Sequence, residues 1–196
     1  MIRASIPWSD VEYAIHWWFS DSTGLHTSWA NSDGPQRRYP FAVLDIIAGP
    51  TPVSFFKQTE IRTIDGCDYT CVGGPMEFTI NAQVLVGGKA GNDPDQYARE
   101  YMTGAIIGLK VDRYSQELGK CKVINYDIEP TLDISEEVGT ERISRVSTDF
   151  QFRQIAEFCL PVDEFGGCIE KVQLRTALDA DKTFIVEKAT CQQVAQ

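Results

Sequence analysis

The sequence predicts an α+β fold in which a mainly antiparallel sheet carries its helices on one face. Three observations lead there. From Met76 to Val86, Phe78, Ile80, Ala82, Val84 and Val86 alternate with Glu77, Thr79, Asn81 and Gln83, the period of a strand with one buried and one wet face. Val11, Ala14, Ile15 and Trp18 recur at i, i+3, i+4 and i+7, the stripe of a helix laid on a core. The order along the chain is helix, strands, helix, strands, which suits α+β rather than a regular βαβ alternation.

Ser9-Asp10-Val11-Glu12 has the form of a capping box, so the first helix is placed from Asp10 to Ser20. Tyr13, Trp17 and Phe19 widen its apolar stripe beyond what a small core needs, and part of it is expected to meet another chain; a helix sunk in its own core is the alternative. Residues Asp21 to Pro40 are rich in Ser, Asn, Asp and Gly without a period and read as a long connection, of the kind that is functional or ordered by a partner. Phe41 to Ala48 is apolar on both parities except at Asp45, as in a strand covered on both faces. A more polar strand pair is placed across Val53 to Tyr69 with a turn near Gly66.

After the Met76 to Val86 strand, Gly87 to Gly91 turns the chain, and Asn92-Asp93-Pro94 opens a second helix with a cap and a first-turn proline. Tyr97, Tyr101, Ala105 and Leu109, flanked by Met102 and Ile106, are its expected apolar face on the sheet, and it should end near Asp112. Lys122 to Ile128 is a further strand. Glu129 to Glu141 is acidic without Lys or Arg and reads as a solvated loop before a long strand in which Val146, Thr148, Phe150 and Phe152 oppose Arg145, Ser147, Asp149, Gln151 and Arg153. Ile169 to Leu178 and Thr183 to Lys188 form a hairpin turned at Asp179 to Lys182, followed by a polar tail. No repeat or linker divides the chain, so 1–196 is expected to be a single domain, with 1–158 as core and 159–196 as hairpin and tail.

Composition narrows the function classes. The 196 residues are 43% hydrophobic, an ordinary globular balance, and the longest apolar runs, such as Phe41 to Leu44, are stopped by charges such as Asp45. A spanning helix needs about 20 apolar residues, so no membrane crossing is expected. Met1 to Asp10 has the features of neither a secretory signal nor a transit peptide, and a cytosolic site of synthesis and residence is expected. With 28 acidic and 18 basic residues the net charge is −10, which opposes a broad grip on phosphate backbones but suits a surface that DNA passes without sticking. The six cysteines, Cys67, Cys71, Cys121, Cys159, Cys168 and Cys191, are then expected to be free thiols, mostly buried.

Signals for chemistry are weak. His16 falls within the apolar helix and His26 in the irregular connection, and neither sits in G-x-S-x-G or H-E-x-x-H, so no catalytic residue is assigned. Cys67 and Cys71 lack a second ligand pair at zinc spacing, so no metal is assigned either. The Gly87 to Gly91 turn lacks the Walker spacing, and Asp93 and Asp95 stand where a phosphate would bind, so no cofactor is expected. The Glu129 to Glu141 loop lacks the ligand order and central glycine of an EF-hand. Carboxylate pairs that meet only in the fold stay open.

The N-terminal helix and long connection, Arg38-Tyr-Pro-Phe41 leading into a buried strand, the Met76 to Val86 strand, a helix with Tyr97-Ala98-Arg99, and Arg142 to Phe152 leading into a long strand together resemble the tail terminator or neck proteins of tailed bacteriophages. The resemblance covers Ser9 to Phe158; residues after Cys159 and the six cysteines depart from the family pattern. It implies a tail-terminator-like fold and a hexameric ring, non-enzymatic, joining the tail tube to the head. The implied partners are copies of itself, a tail-tube protein and a head-completion or connector protein. The implied location is the tail or neck of a virion assembled in host cytoplasm, DNA passing through the lumen without sequence-specific binding. Candidate subunit-interface residues are Trp17, Trp18, Trp29, Arg142, Arg145 and Arg153; Glu129, Asp133, Glu136, Glu137 and Glu141 are candidates to face the lumen. A tail-tube or head-completion adaptor protein, or a cytosolic enzyme or ligand-binding domain, are the alternatives.

Overall fold

The computed structural model describes residues 3–4, 6–32, 38–53, 58–87, 94–138, 141–162, 172–176 and 179–184. They form helices and a mostly antiparallel sheet, the α+β class expected. The chain divides into two compact units, one of residues 6–56 and 75–156 and the other of 1–5, 57–74 and 157–196.

In the first of these, α1 (Trp8–Thr23) begins two residues before the expected start at Asp10. Pro7 occupies the N-cap and its carbonyl accepts the Asp10 N–H at 3.0 Å, so Ser9 falls inside the first turn and no capping box forms. The helix stops at Gly24, whose left-handed φ of 67° lets its N–H bond Ser20 O at 2.8 Å. The expected long connection contains a strand, β2 (His26–Trp29), parallel to β3 (Phe41–Pro52); residues 33–37 lie outside the described ones.

β3 pairs antiparallel with β5 (Cys67–Gly87), matching Leu44 with Ala82 and Ala42 with Val84. β5 pairs in turn with β9 (Glu141–Pro161). Along the other edge of β9 lie β6 (Val123–Ile128), β7 (Leu132–Asp133) and β8 (Glu136–Val138). The acidic stretch is therefore not a free loop. Two short strands in it satisfy backbone groups that β9 would otherwise leave open.

Phe78, Ile80, Ala82 and Val84 of β5 and Val146, Phe150 and Phe152 of β9 are buried on one face, as their alternation predicts. On them sits α1, with Trp18 edge-on to Phe150 at 5.2 Å and Trp8 edge-on to Phe78 at 5.1 Å. α2 (Pro94–Gly108) buries Ala98, Met102 and Ala105, while Tyr97 is exposed. The apolar face is thus turned from the tyrosine stripe expected, because Gly104 and Gly108 bring α2 close to α1: a Cβ at Gly108 would stand 2.9 Å from Ser22 Cβ. The chain then turns through Leu109 to Val111 into α3 (Asp112–Lys120), which the sequence reading omitted; only Tyr114 and Leu118 of its residues are buried. No described helix is long and apolar enough to cross a membrane.

In the second unit β4 (Gln58–Ile64) and the start of β5 form a hairpin whose two-residue turn is Asp65-Gly66, both at positive φ, as the Asp-Gly pair favours. β1 (Arg3–Ala4) pairs with Phe158 and Cys159 of β9. β10 (Val172–Thr176) and β11 (Asp179–Phe184) make the expected terminal hairpin, but Asp179 to Lys182, expected as its turn, belong to the strand.

The expectation of free thiols holds for Cys121, which is buried and in no disulfide, and fails for Cys67, Cys71 and Cys159. Cys71 and Cys159, 88 residues apart, form a disulfide because β5 and β9 bring their Cα atoms to 4.0 Å. Cys67 is also disulfide-bonded; Cys168 and Cys191 lie outside the described residues.

Candidate functional site

The side of the sheet away from the helices is where the polar residues of both long strands meet. Alternation sends Glu77, Asn81 and Gln83 of β5 and Arg145, Ser147, Asp149 and Arg153 of β9 to the same face, all half-buried except Ser147, which is buried. They join in a ladder. Arg145 Nη2 and Nε donate to Gln83 Oε1 at 2.6 and 3.1 Å, Gln83 Nε2 donates to Asn81 Oδ1 at 2.7 Å, and Asn81 Nδ2 donates to Ser147 Oγ at 2.7 Å and to Asp149 Oδ1.

Arg153 donates to Glu77 Oε1, and its guanidinium lies over the Tyr126 ring, 4.9 Å from the centroid. Burial, with Glu77 close by, pushes the Tyr126 phenol above its ordinary range. Since these groups already donate or accept within the chain, the ladder fixes the shape of the face and so lowers the ordering cost of docking something on it.

Around the ladder stand exposed apolar side chains. Ile124 pairs across from Arg153, and Ile155 lies two residues beyond it on the same parity. Ile47 projects from β3.

The candidate interface residues do not gather in one place. Trp18 is fully buried between Phe19, Phe150 and Phe152 and offers no surface, which corrects its assignment to an interface. Trp17 is half-buried and already covered by its own chain, tilted against Tyr114 at 5.4 Å with the Arg113 guanidinium 5.1 Å from its ring centroid. Trp29, half-buried, ends β2. Arg145 and Arg153 share the open face, but Arg153 takes its carboxylate partner, Glu77, from within the chain rather than across an interface. The side chain of Arg142 lies outside the described residues; its backbone stands opposite Glu137.

Of the acidic candidates, Glu129 accepts from Gln151 Nε2 at 2.9 Å. Asp133 accepts from Arg99 of α2 at 3.1 Å. The side chains of Glu136, Glu137 and Glu141 lie outside the described residues. The stretch is thus partly tied to its own fold instead of mutually repelling throughout.

The Ser135 hydroxyl and backbone N–H, with Arg99, hold the Asp133 carboxyl below the usual carboxylate range. Such a lowered group contributes stability above its unfolded pKa and loses it as pH falls through the folded value. A carbon-detected NMR titration should give Asp133 a midpoint below that of an unstructured aspartate, and Ser135→Ala should move it back up. An ordinary midpoint in the unaltered chain would show that the Ser135 bonds do not form in solution.

His16 Nε2 lies 3.0 Å from Thr27 O and ties α1 to β2, while His26 is exposed. Among the described residues no group of three or more His, Cys, Asp or Glu is placed to hold a metal. The sequence reading missed Glu77, Asn81, Gln83 and Asp149 as members of one site. The usable signal was the matching polar parity of two long strands, which becomes a shared face only if the strands are neighbours.

The chain matches no protein-family model, and no curated protein matches it.

Proposed function

We propose that the chain is a structural, non-enzymatic component of a tailed-phage particle, a tail terminator or neck protein that closes into a ring, ends the tail tube and joins it to the head. The sequence pattern from Ser9 to Phe158 resembles that family, and the α+β class is the one such a protein would have. The observation that carries the proposal is the position of the exposed apolar side chains. On the helical side of the unit formed by 6–56 and 75–156, Tyr13 is 71% and Ile107 58% exposed; on the open sheet side, Ile124 is 58% and Ile155 51% exposed. A closed ring needs two different patches on each subunit, one to meet the other on the next copy. Apolar residues on opposite sides of one layered unit supply such a pair, and the preformed polar ladder frames one of them.

The net charge of −10 is consistent with a lumen that passes DNA without holding it. In this reading the strand edge carrying Glu129 to Glu141 faces the lumen, and its partners beyond the ring are a tail-tube protein and a head-completion or connector protein.

Sedimentation of the purified chain across a hundredfold concentration range, with electron microscopy of the same samples, tests the proposal. Six-membered rings are expected. Ile124→Glu combined with Ile155→Glu should abolish them while leaving the circular dichroism spectrum and melting temperature nearly unchanged, because exposed substitutions usually shift stability by less than about 0.5 kcal/mol. A persistent monomer of the unaltered chain at every concentration would overturn the ring. Reversal of charge at Glu136 and Glu137, which spares the Arg99–Asp133 pair, should leave rings intact and lower particle infectivity; unaltered infectivity removes that edge from the lumen.

A further inference from the structure

We infer that the Cys71–Cys159 disulfide is a redox-controlled clasp for the unit formed by 1–5, 57–74 and 157–196, opened by small thiols that attack at Cys159, while the other unit keeps its fold in either state. This inference does not rest on the ring reading. It starts from where the core lies. Every member of the buried hydrophobic cluster, from Val11 to Phe152, belongs to the unit of 6–56 and 75–156, and none of its members is a disulfide cysteine.

In the other unit the described buried residues are Thr70 and Cys71 alone. Its described structure is the β4–β5 hairpin, the end of β9 beside β5 with a two-residue β1 on its other edge, and the terminal hairpin. Ile61, Ile64 and Phe158 are exposed, and the Arg62–Glu157 ion pair at 3.1 Å joins a guanidinium that is 43% exposed to a carboxylate that is 14% exposed. A stretch of sheet with so little buried apolar surface lacks the hydrophobic face that independent stability requires, which is the circumstance in which small units depend on covalent staples.

The two cysteines differ in exposure. Cys71 is buried, whereas Cys159 is half-buried, so an incoming thiolate meets Cys159 first. The thiolate RS⁻ attacks Cys159 Sγ, forming an R–S–S–Cys159 mixed disulfide as the Cys71–Cys159 bond breaks and Cys71 leaves as a thiolate. A second RS⁻ attacks the sulfur of R, releasing the small disulfide RSSR and the Cys159 thiolate, and both protein thiolates take protons from water. The two small thiols lose the two electrons that the protein disulfide gains. Closing the clasp is the reverse, with a small-molecule disulfide as oxidant. An excess of small thiol therefore drives the clasp open, and an excess of small disulfide drives it closed.

The test is hydrogen exchange of the full chain, oxidised and after treatment with reduced glutathione, with acid trapping and peptide mapping of the adduct. The expected results are a glutathione adduct at Cys159 and amide exchange over 58–73 faster by at least about tenfold, with 11–19 and 78–86 unchanged. Because Cys67 is also disulfide-bonded, Cys71→Ser isolates the clasp: in oxidising buffer it should exchange over 58–73 like the reduced unaltered chain. Unchanged protection over 58–73 after full reduction overturns the inference, as does loss of protection in both units together. An adduct confined to Cys71 overturns the route of attack. If Cys71→Ser does not fold, exchange in the reduced unaltered chain still decides.

Discussion

Trp18→Ala should lower the stability of the chain by about 3–5 kcal/mol, the range for removing a large aromatic from a close-packed core. For a domain of this size that corresponds to a fall in melting temperature of roughly 10 °C. Trp18 meets Phe19, Phe150 and Phe152 edge-on, at centroid separations of 5.5, 5.2 and 6.0 Å, so its loss empties the contact between α1 and β9. Trp18→Phe separates packing from polarity. Among the described residues the buried indole Nε1 finds no hydrogen-bond partner, and a buried donor left in that state costs about 1–3 kcal/mol. Phenylalanine removes the orphaned N–H and leaves a smaller void, and the two effects nearly cancel, leaving stability within about 1 kcal/mol of the parent. Urea unfolding measures both variants. Self-association of Trp18→Phe should equal that of the parent; a well-folded but strictly monomeric Trp18→Phe would return this residue to the interface.

The two outcomes mark how far the sequence could be read. The stripe Val11, Ala14, Ile15 and Trp18 places Trp18 on the core face of α1, and the structure buries all four. What the stripe does not carry is how much apolar surface the sheet offers in return. Phe19 looked like a surplus on the helix flank, and it is consumed by Phe150. The alternations of β5 and β9 were legible because each runs through many residues with one face dry.

β2 and α3 were not legible for the opposite reason. Four residues of β2 cannot establish a period, and α3 supplies only Tyr114 and Leu118 as buried anchors while Asp21 accepts hydrogen bonds from Arg113 and from Tyr114 Oη, the latter at 2.6 Å. The ladder and the disulfide share a third cause. Asn81 with Asp149, and Cys71 with Cys159, become neighbours only when β5 is placed beside β9, and no local pattern says which strand lies beside which. Reading the cysteines from an expected compartment left out strand pairing, which decides what a thiol can reach.

Gly49→Ala should be the most damaging single-methyl change in the sheet. β3 shifts register against β5 between Ala48 and Thr51, so that Gly49 and Pro50 bulge opposite Phe78. Gly49 has φ 87°, where an L side chain is strained by about 1–2 kcal/mol. A Cβ there would also stand 2.4 Å from the Glu77 carbonyl oxygen and 2.8 Å from Phe78 Cα, both backbone atoms that no rotamer change can move aside. Relief requires displacing β5, and overpacking of this kind adds about 1–3 kcal/mol.

Phe78 stacks on Phe152 at 5.5 Å, and Glu77 holds Arg153, so the displacement reaches the core and the open face together. Gly24→Ala is the control, since Gly24 also has positive φ, 67°, but a Cβ there meets nothing within 4 Å. It should cost about 1 kcal/mol from backbone strain alone. Unfolding midpoints in urea should therefore fall for both variants and much further for Gly49→Ala, whose Arg153 side-chain resonances should shift while those of Gly24→Ala stay in place. Equal midpoints for the two would mean that the bulge yields without moving β5, and the close approach of the two strands would then contribute nothing to the rigidity of the face.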